Sequence, residues 1–309
     1  MEYQSIKRTD TEVSRICFGC WAIGGHGYGR IDDDTSVRAI QKALDLGINF
    51  FDTADVYGFG HSEKVLAGAL GEGRHQVVIA TKFGVEWDQS GRTRKNCSPS
   101  YIVSALESSL KRLGIDCIPI YQLHWHDGKT PLEDVMETLL RCQQAGKIKL
   151  IGISNLSEDM LKKAGIREHV RTNQCLYNLV QRENESLIQL SAKKFGQDIL
   201  AYSVIGRGVF SGKYSSTSKF GENDTRRRDK NFHGNRYEKD ISIADKLSDI
   251  GKKYGKTAAQ VSIRWVLDNP LVSSAIVGIK SAVQAEENAG AAGWALTKDD
   301  TELIGSIVL

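Results

Sequence analysis

The chain has 309 residues, is 40% hydrophobic and 26% charged, and carries a formal net charge of +3. That is ordinary globular composition, and the charge excess is too small to argue for a nucleic acid or an anionic membrane surface as partner. No apolar run approaches the ~20 residues a membrane helix needs.

The N-terminal Met1–Ser5 lacks the apolar core of a signal peptide. Five of the six cysteines, Cys17, Cys20, Cys117, Cys142 and Cys175 but not Cys97, sit in or beside apolar segments, as reduced packing residues do. A cytoplasmic location is expected.

The first strand is expected over Ser14–Gly19. A glycine-rich stretch from Gly24 to Gly29 follows, without the spacing of a dinucleotide fingerprint, and it reads as a loop over a pocket. Cys17-x-x-Cys20 has no second pair and opens no helix, so it reads as strand packing. Val37, Ile40 and Leu44 recur at helical spacing before Gly47. Then comes the segment Ile48–Gly58, a short apolar strand ending in Asp52 with Tyr57 just beyond it. A helix is expected over His61–Leu70. The next strand, Val77–Thr81, ends in Lys82.

Ser98-Pro99 reads as an N-cap and first helical residue, followed by the stripe Val103, Leu106, Leu110 and Leu113. The strand Ile118–Leu123 ends in His124. Thr130-Pro131-Leu132-Glu133 has the pattern of a capping box, before a stripe of Leu132, Val135, Met136, Leu139 and Leu140. A fifth strand, Ile148–Ser154, precedes a short helix capped by Ser157 and running to about Ala164. The sixth strand is expected over Thr172–Leu176, a helix over Asn184–Phe195, and the seventh strand over Asp198–Ser203.

Residues 206–239 form the longest irregular stretch, a length typical of lids and disordered segments. The run Arg226–Lys230 within it reads as solvated loop. A polar helix with Ile243, Leu247 and Ile250 follows. Thr257-Ala258-Ala259-Gln260 is a second capping-box pattern, opening a helix that stops at Asn269-Pro270. The eighth strand is Ser274–Gly278 and the last helix runs from about Ala282 to Ala291. Eight strands alternating with helices predict a single (β/α)8 TIM barrel spanning 1–309, with a long loop after strand 7. Active sites of such barrels lie at the C-terminal ends of the strands, where Asp52, Lys82 and His124 fall. A Tyr, with an ordinary pKa of about 10, becomes a useful acid at neutral pH only when a neighbouring cation lowers that value.

The motifs Phe50–Gly58, Thr81-Lys82, Gln122–Trp125, Gly152–Asn155, Ala201–Ser203 and Gln284–Asn288, in this order on successive strands, resemble the aldo-keto reductases over nearly the whole chain. The resemblance implies that an aldehyde or ketone, a sugar or other small carbonyl among them, is reduced by hydride from NADPH, with NADH kept open. It implies a catalytic set of Asp52, Tyr57, Lys82 and His124: Tyr57 protonates the carbonyl oxygen, Lys82 held by Asp52 lowers the Tyr57 pKa, and His124 orients the substrate. It further implies cofactor contacts from Gly19, Cys20, Trp21, Asp52, Ser154, Asn155, Gln174, Tyr202, Ser203, Gly278, Lys280, Ser281, Gln284, Glu287 and Asn288. Gln284 stands where some relatives place an Arg near the 2′-phosphate, leaving Lys280 as the point charge there. Trp21, Tyr57, Trp87, His124 and Trp125 are the expected substrate wall, in a monomer or weak homo-oligomer with no nucleic-acid or membrane partner.

Two other readings compete. His124-x-His126 has the form of a metal pair, but later strands end in no further metal ligands, so no metal is expected. Potassium-channel β-subunits resemble the same family and act as regulatory partners.

Overall fold

The alternation of side chains along an extended segment decides what the middle of this molecule contains. The computed structural model describes residues 1–25, 27, 32–162 and 168–308. In it β1 (Ile16–Gly19), β2 (Phe50–Asp52), β3 (Val78–Phe83), β4 (Ile118–Leu123), β5 (Ile148–Ser154), β6 (Val170–Leu176), β7 (Asp198–Tyr202) and β8 (Val272–Gly278) pair in parallel with their sequence neighbours, and β8 closes on β1. This is the (β/α)8 barrel expected.

Cys17, Phe50, Ala80, Ile120, Leu150, Leu200 and Ile276 fill the interior. Two residues further along each strand, on the same face, come Gly19, Asp52, Lys82, Gln122, Gly152, Tyr202 and Gly278. The opposite faces, with Phe18, Phe51, Ile79, Tyr121, Ile151 and Ile153, pack beneath the helices. A hairpin of Tyr3–Ser5 and Glu12–Ser14 closes the N-terminal end. Its Ile6 and Val13 are fully buried and join the interior cluster.

The helices are α1 (Asp33–Asp45), α2 (His61–Leu70), α3 (Pro99–Leu113), α4 (Leu132–Gln144), α5 (Glu158–Lys162), α6 (Glu185–Gln189), α7 (Gly234–Lys252), α8 (Ala258–Asp268), α9 (Ala282–Ala289) and α10 (Lys298–Val308). The capping box of α8 forms as expected, Thr257 accepting from Gln260 N. Ser157 Oγ accepts from Met160 N at the start of α5. Ala164 and part of the glycine-rich stretch, His26, Tyr28 and Gly29, lie outside the described residues.

Several local expectations are corrected. The α3 stripe is Ile102, Leu106, Leu110 and Leu113, while Val103 is 41% exposed; Ile102 keeps the four-residue step to Leu106. Ser98 makes no side-chain cap. The Thr130 capping box does not form, because its hydroxyl donates to Asp127 Oδ2 (2.7 Å) and α4 opens after Pro131. α6 runs into a π-helical turn at Leu190–Lys194.

Elements beyond the sequence expectations include the N-terminal hairpin, α10, and a hairpin of Val85–Trp87 and Thr93–Lys95 whose turn is held by Asp88. The stretch after β7 is shorter than expected, since α7 starts at Gly234 and buries Tyr237 against Phe220 and Phe232. Among the described residues no helix is long and apolar enough to cross a membrane.

Candidate functional site

β2, β3 and β4 each carry, at or next to their last residue, a polar side chain turned into the barrel. The Lys82 ammonium donates to Asp52 Oδ1 (2.6 Å) and to the Thr53 carbonyl (2.7 Å) and is fully buried. The second oxygen of Asp52 accepts from the side-chain amides of Gln174 (2.7 Å) and Gln122 (3.3 Å). Gly152 makes room for this layer: a Cβ there would lie 2.7 Å from Gln122 Cγ and 2.5 Å from the Thr172 hydroxyl.

Tyr57 stands above Lys82, whose ammonium is 5.0 Å from the ring centre. The ring stacks on Trp21 (6.1 Å) and meets His124 edge-on (5.9 Å). Burial pushes the Tyr57 phenol up to about 12, against the pull of Lys82 and with Asp52 adding to the rise. The depressed phenol pKa expected from the sequence is therefore not the net result in this chain. Burial also works against the Lys82 charge, but Asp52 and Tyr57 more than offset it and hold the ammonium above its usual range. Burial and the Lys82 charge hold His124 well below the ordinary histidine value, so its ring is neutral at neutral pH. His124 Nδ1 is buried with no hydrogen-bond partner among the described residues.

These groups line a cavity of about 660 Å³ that extends to β8 and α9. Gly19, Trp21, Asp52, Tyr57, His124, Trp125, Ser154, Asn155, Gln174, Tyr202, Ser203, Gly278, Lys280, Gln284, Glu287 and Asn288, all expected from the sequence, lie in its wall. Lys82 lies beneath it. Cys20, Ser281 and Trp87 do not line it. The Cys20 thiol is buried near the Phe18 carbonyl (3.7 Å), Ser281 caps α9 through Gln284 N, and Trp87 sits behind Phe59 (6.1 Å). Asn155 is fixed by donating to the His124 carbonyl and to Ser154 Oγ, both 3.0 Å, and by accepting from the Tyr202 hydroxyl at 2.9 Å. Four non-glycine residues of the wall, Phe59, Asn155, Ser203 and Arg207, have left-handed backbone with φ of 55 to 59°. Such strain collects at functional sites.

The segment from Gly206 to His233 forms a strap across the cavity. Thr225 donates from N (3.0 Å) and Oγ1 (2.9 Å) to the Gly27 carbonyl. Lys213 reaches Glu287 on α9 (3.1 Å). Arg207 pairs with Asp229 and lies 5.8 Å from the Trp21 ring. Arg226 is 7% exposed, forked on Asp224 at 2.6 and 2.9 Å. It does not belong to the solvated loop expected of its basic run, because a partner two residues away and the rings of Phe220 and Tyr214 enclose it. Burial and the nearby Arg226 lower the Lys280 pKa, partly offset by Asp224.

Sequence reasoning missed Gln122, Arg207, Val56, Phe59 and the hairpin residues Val85 and Thr93, all but Gln122 in the wall. Gln122 had a signal, a polar residue two positions after the inward Ile120 in an apolar strand. The strap had a signal in its length and position after strand 7, although not for Arg207 itself, and the hairpin had none, since its approach is set by tertiary packing. Among the described residues no group of three or more His, Cys, Asp or Glu side chains is placed to hold a metal. His126 is used in a turn, between the Thr130 carbonyl (2.8 Å) and Gly128 N (3.0 Å).

A model of the Aldo/keto reductase family matches residues 15–308. Aldo-keto reductase YhdN of Bacillus subtilis (strain 168) is 37% identical over 311 residues, covering 100% of this chain and 94% of its own length. Aldo-keto reductase yakc of Schizosaccharomyces pombe, whose name carries NADP(+), is 34% identical, covering 90% of this chain and 84% of its own. The solved structure of the glycerol dehydrogenase AKR11B4 from Gluconobacter oxydans is 36% identical, with a TM-score of 0.91 over 99% of this chain and 94% of that one.

Proposed function

Because the chain belongs to the aldo/keto reductase family, we propose that it reduces an aldehyde or ketone to the alcohol with NADPH, Tyr57 being the proton donor. The observation that carries the reading is the fully buried Lys82–Asp52 pair beneath Tyr57, with neutral His124 facing the same cavity.

The residues present fit a dinucleotide. The cavity runs from Tyr57 and His124 to Lys280, Gln284, Glu287 and Asn288, and a Cβ on Gly278 would meet nothing within 4 Å, so backbone there is open to close approach. Tyr202 offers a ring for the nicotinamide to stack on. Gln174 gives its amide N–H to Asp52, which leaves its carbonyl oxygen for a carboxamide, beside Ser154 and Asn155. Lys280, with Arg226 near it, supplies positive charge for a 2′-phosphate, and this favours NADPH over NADH. The bound cofactor supplies hydride.

The chain supplies the rest. A carbonyl oxygen set between Tyr57 and His124 meets donors already in place, so alkoxide charge is met without reorganisation. Neutral His124 can donate one N–H there. As negative charge grows on that oxygen, Tyr57 passes its proton to it, and the Lys82 ammonium stabilises the phenolate left behind. Trp21, Trp125, Val56 and Phe59 make the substrate end apolar and shed water around the reacting carbon. The relatives' names, reductases and a dehydrogenase, support turnover rather than the channel-subunit reading.

Purified protein should oxidise NADPH when given a panel of aldehydes and ketones, and a chelator should change nothing. Cofactor binding with no oxidation across the panel would return the chain to a regulatory role.

A further inference from the structure

Behind the turn that carries Tyr57 lies a second buried cluster, whose titratable members Asp55, Glu63, Tyr101 and Arg112 are not part of the cavity wall. Asp55 is 1% exposed and Glu63 on α2 is fully buried. Arg112 on α3 is a single guanidinium set against both carboxyls. Glu63 takes it, accepting from Arg112 Nε at 2.5 Å and from the Thr81 hydroxyl at 2.6 Å. Asp55 is left with the Tyr101 hydroxyl of α3, a long contact of 3.4 Å to Oδ2, while its Oδ1 is buried with no hydrogen-bond partner among the described residues. Asp55 is the second residue of a tight turn closed by Tyr57 N donating to the Ala54 carbonyl (3.1 Å). Its side chain therefore anchors the backbone two residues before the phenol.

The same cluster holds the far end of the turn. Arg112 packs so closely on Gly60 that a Cβ there would lie 2.7 Å from its Cδ. Trp87 packs on both Arg112 (5.7 Å) and Phe59 (6.1 Å).

We propose that Asp55 is a positioning residue for the proton donor, acting as an uncharged carboxylic acid that locks the 54–57 turn onto α3. The proposal rests on the reading of Tyr57 given above. Burial, and then Glu63, push the Asp55 carboxyl well above its usual range, and Arg112, Val56 N–H and Tyr101 only partly oppose them. Tyr121 on β4 also faces the cluster, its phenol raised by burial and then by Asp55 and Glu63. One cation cannot satisfy two buried carboxylates, so the carboxyl without the guanidinium keeps its proton. Two consequences separate this from a packing role. Asparagine, which has the shape of the neutral acid, should replace Asp55. The parent chain should also lose stability as pH rises from about 4 towards 7, where an unfolded Asp ionises and the folded one does not.

The test measures NADPH affinity, single-turnover carbonyl reduction and pH-dependent unfolding in Asp55→Ala, Asp55→Asn, Tyr101→Phe and Tyr57→Phe. Asp55→Ala should slow the single turnover by about tenfold or more, because sub-ångström displacement of a reacting group has effects of that order, while cofactor affinity stays within about twofold. Asp55→Asn should restore the rate and show a shallower fall in stability between about pH 4 and 7. Tyr101→Phe, which removes one hydroxyl, should slow turnover more mildly and carries the test should Asp55→Ala not fold. Normal turnover in both Asp55→Ala and Tyr101→Phe overturns the proposal, as does an Asp55→Asn as slow as Asp55→Ala. Near-normal turnover in Tyr57→Phe overturns the proton-donor reading and this proposal with it. An inactive Tyr57→Phe beside unimpaired Asp55→Ala and Tyr101→Phe overturns this proposal alone.

Discussion

The Lys82 ammonium lies 2.6 Å from the Asp52 carboxylate with no exposure to solvent, and it is also 5.0 Å from the centre of the Tyr57 ring. One buried cation thus has two partners, the Asp52 carboxyl below it and the Tyr57 phenol above it, and on the proposed reading only the phenol changes during turnover. This asymmetry lets stability and chemistry be tested apart.

Removing the proton donor alone is the cleanest test of chemistry. Tyr57→Phe should lower carbonyl reduction by about 100-fold or more, the range for a lost general acid, while NADPH affinity measured by fluorescence titration stays near the parent value. Near-normal turnover would remove the assigned mechanism.

Breaking the pair should register in stability first. Lys82→Met strands a carboxylate that is 3% exposed, and loss of one partner from a buried pair costs about 3–5 kcal/mol. The double variant Lys82→Met/Asp52→Asn should unfold at higher denaturant than Lys82→Met alone. Equal midpoints for the two would mean that the charge left behind is not the source of the loss.

The pH dependence follows from His124 and Tyr57. The folded pKa of His124 is depressed by burial and Lys82, so the unfolded chain takes up a proton first as pH falls below about 6.5, and stability declines from there. His124→Gln should remove part of that decline in acid unfolding curves. At the other extreme Tyr57, at about 12, keeps its proton through the ordinary tyrosine range of about 10. Its contribution to stability is present below that range and lost as pH rises towards 12. Carbonyl reduction with NADPH supplied should show no loss of the proton donor between pH values near 6 and 9, a window below both values.

Cofactor choice should respond to Lys280. The parent protein should bind NADPH more tightly than NADH, and Lys280→Ala should narrow the ratio by about tenfold, the scale of one charge-assisted contact. Equal affinities in the parent would remove Lys280 from the 2′-phosphate.

The strap can be followed without chemistry. Amide exchange across 206–233 should slow when NADPH binds, and Lys213→Ala, which removes the tie to Glu287, should speed cofactor release. Exchange unchanged by cofactor would leave the strap as a surface segment indifferent to the ligand.

The parts legible in the sequence were those written in short-range pattern. Asp52, Lys82 and His124 could be placed because each ends an apolar run, and the period of two then aims the first two inward. The Thr257–Gln260 cap could be read because its partners are three residues apart. The Thr130 cap failed because Asp127, also three residues away, competes for the same hydroxyl. Arg226 and the 85–95 hairpin were illegible for another reason. Their surroundings are made by tertiary packing rather than by any short repeat, Phe220 and Tyr214 folding back around the one and Trp125 lying beside Lys95 of the other, 4.8 Å away. The Tyr57 pKa was misjudged because a sequence announces the neighbouring cation but not the depth of burial that outweighs it.

The N-terminal hairpin makes this a vessel with one mouth. With Ile6 and Val13 plugging the lower end, the alcohol product and spent cofactor of the proposed reaction would leave by the opening through which their precursors came. The strap lies across that opening, and its Arg207 rests against Trp21, the ring stacked on Tyr57. On the proposed reading, lifting the strap to exchange one molecule would loosen the wall around the other as well.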